Sequence, residues 1–98
     1  MNAEQILETL KFILDPEVGV NIVDLGLIYN VCIDGGSVSI DLTMTTPLCP
    51  LHGMITHQMD TLLRKRFPEL NQLNINLVWE PRWTPEKMSA TARRQLGW

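Results

Sequence analysis

LIYNVCIDGGSVSIDLTMT, residues 27–45, alternates apolar and polar side chains on either side of Asp34-Gly35-Gly36. Alternation with period two marks a half-buried strand. Glycines at a hairpin tip supply the positive φ that tight turns require. The stretch therefore predicts two antiparallel strands, 27–34 and 37–45. Leu27, Tyr29, Val31 and Ile33 fall on one face of the first, and Val38, Ile40, Leu42 and Met44 on one face of the second. Asn30, Cys32, Asp34, Ser39, Asp41, Thr43 and Thr45 fall on the opposite faces, so one side of the sheet is core and the other wetter.

Outward from the hairpin, the period changes. Ala3, Ile6, Leu7, Leu10, Ile13 and Leu14 recur at helical spacing over residues 3–14. Asn2 with Gln5 three residues later resembles a capping box, and Asp15-Pro16 stops the helix. Residues 15–26 form a long connection, a feature that is often functional in a small domain. Residues 50–67 read as a second helix with Leu51, Ile55, Met59 and Leu62 along its buried stripe and Met54 and Leu63 at the edges. Leu73, Ile75, Leu77 and Trp79 alternate inward along a third strand, 73–80, with Trp79 as core. Thr84-Pro85-Glu86 then reads as a cap, a first-position proline and an acidic first turn opening a last helix to about residue 96. The order αββαβα predicts an α+β fold: a two-layer α/β sandwich whose three-stranded sheet has helices packed on one face. The expected sheet order is 2-1-3, with antiparallel neighbours throughout.

The chain has 98 residues, which bounds it to one domain, 1–98. Its net charge is −3, and Arg64-Lys65-Arg66 is the sole basic run, placed where cations complement a helix dipole. No nucleic-acid partner is expected, since phosphate binding requires a basic face. No apolar stretch is long enough to span a bilayer, and Met1-Asn2-Ala3-Glu4 is not a signal peptide, so no membrane partner and a cytoplasmic location are expected. Cys32 and Cys49 then read as reduced thiols.

Cys49 carries the chemistry. It lies in Thr43-Met44-Thr45-Thr46-Pro47-Leu48-Cys49-Pro50, where a strand runs out and a helix begins. Proline is favoured at the first helical position, which makes Cys49 the capping residue and aims free amides and a partial positive charge at its sulfur. Such a setting favours the thiolate, the form that attacks electrophiles and binds soft metals. Thr43 and Thr45 share the face that leads into this turn, and their hydroxyls suit hydrogen bonding to a thiolate or a metal-bound sulfide, or simply suit a strand. His52 follows at Cys-x-x-His spacing, half of a tetrahedral ligand set or an exposed first-turn residue. Asp15, Glu17 and Asp24 lie in the long loop: Asp15 either ends the first helix and shapes a turn or is solvated, and Glu17 and Asp24 are either solvated or folded toward Cys49. Trp83 either packs the final turn or rims a pocket. Cys32, mid-strand, and His57, on the helix surface, read as having no role in the site.

Four separated segments then fit one pattern: Asp15-Pro16-Glu17; Asp24-Leu25-Gly26-Leu27-Ile28; Thr43-x-Thr45-x-Pro47-x-Cys49-Pro50; and Trp79-Glu80-Pro81-x-Trp83-Thr84-Pro85-Glu86-Lys87-Met88. Together they resemble the SufT/PaaD-like family of iron–sulfur cluster assembly factors. The resemblance implies a compact α/β layer and a role in building, carrying or delivering clusters to client proteins. It makes Cys49 the functional thiol and metal ligand, with Asp15, Glu17, Asp24, Thr43 and Thr45 as the family's loop and threonine positions. It implies a transient iron–sulfur cluster as cofactor, client proteins and other assembly factors as partners, and an accessory factor in place of a turnover enzyme. The layout is also similar to the C-terminal domain of NifU-type scaffolds, except that His52 stands where those have the second cysteine of Cys-x-x-Cys. Arg82 stands where many relatives carry a second proline. The lack of a cysteine-bearing C-terminal extension favours the short general maturation factor over the phenylacetate-pathway specialist.

A single soft ligand per chain suits transient handling, with further ligands from a client or from a second Cys49 in a homodimer. Two alternatives stay open: a thiol enzyme with Cys49 as nucleophile, and a non-catalytic adaptor, including a subunit of a phenylacetate-degradation-type system, that binds through its open sheet face.

Overall fold

The computed structural model describes residues 2–15, 18–44 and 52–97, the side chain of His52 excepted. In chain order these form α1 (Ala3–Leu10), β1 (Ile28–Asp34), β2 (Ser37–Leu42), α2 (His52–Arg66), β3 (Gln72–Leu77), a 3-10 turn (Pro85–Lys87) and α3 (Ala90–Leu96). The α+β class and the αββαβα order are as the periodicity predicts. Ile6 and Leu10 of α1, Ile55, Met59 and Leu63 of α2, and Ala92 of α3 share one buried cluster with Val38, Ile40 and Leu42 of β2. Along α2, Leu63 takes the buried position expected of Leu62, which is only partly covered.

The caps follow from local chemistry. Asn2 is extended, and its Oδ1 accepts from the Gln5 N–H at 2.8 Å, satisfying one free amide of α1. The helix ends at Leu10, four residues before the predicted stop at 14. Lys11 and Phe12 turn the chain, and Leu14 makes an isolated antiparallel bridge to Asn21. Ile13 still reaches the core, but from a bend and not a helix, which leaves Phe12 81% and Leu14 53% exposed. At the other end, the Thr84-Pro85 start yields only the 3-10 turn. Met88 is extended and buried, and Ser89 caps a separate α3, its Oγ accepting from the Ala92 N–H at 3.1 Å.

The sheet order is β1-β2-β3, which corrects the expected 2-1-3. β1 pairs antiparallel with β2, and β3 pairs parallel with β2 from Ser37↔Gln72 to Leu42↔Leu77. Alternation alone ranks all three strands alike. What separates them is that the inward row of β2 is sealed, at 0–1% exposure, while the inward rows of β1 and β3 are half-buried. β2 therefore takes the centre. A helical crossover delivers its strand parallel to the one it left, and here it lands directly beside it.

Gly36 makes that landing possible. Its carbonyl accepts from the Asn71 N–H at 2.7 Å and the Gln72 N–H at 3.3 Å, so the α2–β3 turn sits on the hairpin. A Cβ on Gly36 would lie 2.5 Å from the Asn71 side-chain nitrogen and 3.1 Å from the Glu69 carbonyl. The Asn71 amide can swing away, but the backbone cannot. Gly36→Ala is expected to cost about 1–2 kcal/mol in urea unfolding, the usual size of a local overpacking.

Candidate functional site

The described part of the site gathers on the backbone of residues 24–27, between the end of β2 and the segment that precedes α3. Thr43 continues the β2 ladder, its N–H donating to the Leu27 carbonyl at 2.8 Å. Asp24 sits in a turn closed from both sides by Asn21: the Asn21 Nδ2 donates to Asp24 Oδ2 at 2.7 Å, and the Asp24 N–H donates to Asn21 Oδ1 at 2.8 Å. The Asp24 carbonyl accepts from the Ser89 N–H at 2.8 Å. The Leu25 carbonyl accepts from Trp83 Nε1 at 2.7 Å. Gly26, at φ 81°, lies so close to Lys87 that no side chain fits between them. Residues 83–89 thus bolt down the loop that carries Asp24. Trp83 is half-buried against the core and takes its indole N–H to a backbone carbonyl, a packing role for the final turn.

Asp15 departs from its reading as a solvated loop residue. It is 2% exposed. Buried charged residues are ordinarily paired, and Asp15 is not without a partner. Its N–H donates to the Val20 carbonyl at 3.0 Å, and its carbonyl accepts from the Gly19 N–H at 2.8 Å, which joins Asp15 to residues 19 and 20. Glycine serves at 19 because φ there is 72°. The Ile22 N–H donates to the Ile13 carbonyl at 3.0 Å, which ties Ile22 to the segment after α1.

Thr43 is 1% exposed, yet among the described residues its Oγ1 has no hydrogen-bond partner. Nearly all buried polar groups are paired, so this hydroxyl is an exception among them. Its neighbour is Tyr29, which the alternation placed simply on the inward face. A bulge in the β1–β2 register between Ile28 and Asn30 sets Tyr29 apart. Bulges recur beside functional sites because they re-aim a side chain. The Tyr29 hydroxyl donates to the Pro81 carbonyl at 2.8 Å, and the Lys87 ammonium lies 5.0 Å from the ring centroid. Burial raises the Tyr29 pKa above that of an ordinary phenol; the Thr43 hydroxyl, near but outside hydrogen-bond geometry, opposes the rise. Tyr29 is the site neighbour that sequence reasoning missed. Nothing in the alternation reveals a bulge, which exists only relative to the partner strand.

The predicted thiolate niche of Cys49, together with Thr45 and Glu17, lies outside the described residues. His52 is the first residue of α2, and its side chain is not described. Among the described residues no group of three or more His, Cys, Asp or Glu side chains is placed to hold a metal ion. Cys32 is exposed on the open sheet face, where it accepts from Asn30 Nδ2 at 3.4 Å, and His57 is exposed on α2. Among the described residues no helix is long and apolar enough to cross a membrane.

Residues 3–77 match the family described as iron–sulfur cluster assembly protein. The chain is 41% identical over 86 residues to the Fe–S protein maturation auxiliary factor SufT of Staphylococcus aureus, spanning 87% of this chain and 97% of that one. It is 40% identical over 95 residues to the Fe–S protein maturation auxiliary factor YitW of Bacillus subtilis, spanning 96% and 92%. In three dimensions it is similar to a domain of unknown function from Bacillus anthracis, with TM-score 0.93 and 39% identity over 96% of this chain and 90% of that one.

Proposed function

This chain belongs to the iron–sulfur cluster assembly protein family, and from that premise we propose that the thiolate of Cys49 is the group through which it handles clusters. Its role is in iron–sulfur cluster assembly and maturation. The cluster is cargo and not a resident cofactor. One soft ligand from this chain exchanges with thiolates of an assembly partner and then of a client, so the cargo is held incompletely and can move on. The factor works as an auxiliary without turnover of its own, in the cytoplasm, among iron–sulfur client proteins and other assembly factors.

The observation that supports this reading best is the orphan hydroxyl of Thr43. It sits buried at the root of the segment that leads to Cys49, where a donor without a partner can serve an arriving sulfur. Asp24 and Trp83 contribute by fixing the loop beside it. Thr45, Asp15, Glu17 and His52 complete the proposed surroundings.

The test is client activation in cells that depend on this factor, paired with anaerobic transfer of a cluster to a purified client. Cys49→Ser is expected to reduce client activity to the level of cells lacking the factor, while Cys32→Ser leaves it unchanged. Full activity in cells carrying Cys49→Ser would refute the assignment. Loss with Cys32→Ser alone would move the site to the open face of the sheet.

A further inference from the structure

The outer edge of β3 pairs with no strand among the described residues. Alternate residues of an edge strand turn their N–H and C=O groups outward, and proteins ordinarily blunt such edges with charge, proline or bulges. β1, the opposite edge, has two of these devices: the bulge at Tyr29 and the charge of Asp34. β3 has none. Gln72–Leu77 contains no charged residue and no proline, and it runs in unbroken register with β2.

The sequence of that edge is self-complementary. Leu73-Asn74-Ile75-Asn76-Leu77 reads the same in both directions. An antiparallel pair related by a two-fold axis through Ile75 sets Leu73 opposite Leu77, Asn74 opposite Asn76, and Ile75 opposite itself. Residues facing each other across an antiparallel pair share a face. The apolar positions would therefore meet on the helix side and the asparagines on the open side. The apolar row of β3 also lacks cover. Leu73, Ile75 and Leu77 are only half-buried, whereas their register partners Val38, Ile40 and Leu42 are sealed.

We propose that the β3 edge is a homodimer interface, in which two copies pair antiparallel about Ile75 and their sheets join into one. An isologous contact of this kind needs a patch that complements itself, and the palindrome supplies it. β3 runs parallel to β2, so antiparallel pairing of two β3 strands sends the Leu42 ends of the two β2 strands to opposite ends of the joined sheet. The segments that follow Leu42 then face apart. This dimer keeps the two Leu42 ends apart, and it stands or falls independently of the role given to Cys49.

The test uses the full chain and two double variants at the exposed asparagines. Sedimentation across a concentration series is expected to give twice the chain mass, dissociating on dilution. Asn74→Lys with Asn76→Lys places like charges opposite each other at both cross-strand pairs and should weaken the dimer roughly tenfold or more. Asn74→Glu with Asn76→Lys places opposite charges there and should restore the original affinity. In that variant the introduced lysine also faces Asp41, the register partner of Asn76. Hydrogen exchange of the unaltered chain should show residues 72–77 gaining protection with concentration while 28–34 do not. A monomer at every soluble concentration, a dimer indifferent to the charge pairs, or protection that rises on β1 instead would each overturn the proposal.

Discussion

Gly26→Ala should destabilise the protein by about 3 kcal/mol, roughly twice the effect of Gly19→Ala. Both glycines have positive φ, 81° and 72°, so each alanine incurs the left-handed penalty of about 1–2 kcal/mol. They differ in surroundings. A Cβ at Gly19 meets nothing within 4 Å, whereas one at Gly26 drives into the carbonyl of Lys87. That neighbour is backbone, held by the Ser89–Asp24 and Trp83–Leu25 hydrogen bonds. Relief requires residues 83–89 to lift, which forfeits those bonds at about 1 kcal/mol each. Urea unfolding of both variants, with m-values to confirm a common two-state transition, measures the difference. Equal losses would show that the C-terminal segment does not clamp this loop. The expected loss also reaches the site, because the same clamp orients the turn bearing Asp24.

The contrast between these glycines marks where sequence reasoning reaches and where it stops. The hairpin, the helices and the caps arise within a few residues of one another, so Asn2 and the 34–36 turn were legible directly. Sheet order was not, because alternation identifies strands without saying which strand is sealed on its inward face. That depends on where α2 returns, and the return depends on the close approach of Gly36 to Asn71 and Glu69. Trp79 shows the same limit. Its alternation points inward, but it lies beyond Leu77 at the end of an edge strand and is 41% exposed. Asp15 errs the other way: a charged loop residue reads as solvated, yet it is buried and its backbone is hydrogen-bonded to Gly19 and Val20, contacts that its residue type does not announce. Within the site, residue types marked Thr43 as a candidate, but only its surroundings reveal an unpaired hydroxyl. Tyr29 needed the register itself.

Thr43→Val should raise stability while abolishing client maturation. Valine keeps the shape of threonine and exchanges the hydroxyl for a methyl. A buried polar group without a partner carries a desolvation cost of about 1–3 kcal/mol, so removing it is expected to recover about 1 kcal/mol in urea unfolding. Thr43→Ser makes the converse change. It keeps the hydroxyl, deletes a fully buried methyl and should lose about 1 kcal/mol. A structural role predicts that activity follows stability, with valine best and serine worst. A role in serving sulfur at the Cys49 segment predicts the reverse for activity, with serine close to threonine and valine inactive. Tyr29 offers a spectroscopic control on the same substitution. The Thr43 hydroxyl opposes the upward shift that burial imposes on the phenol. In Thr43→Val the phenol should therefore titrate at higher pH, read from tyrosinate absorbance against a Tyr29→Phe background. If Thr43→Val matures clients as well as the natural chain does, the hydroxyl has no part in cluster handling, and its burial without a partner would need another cause.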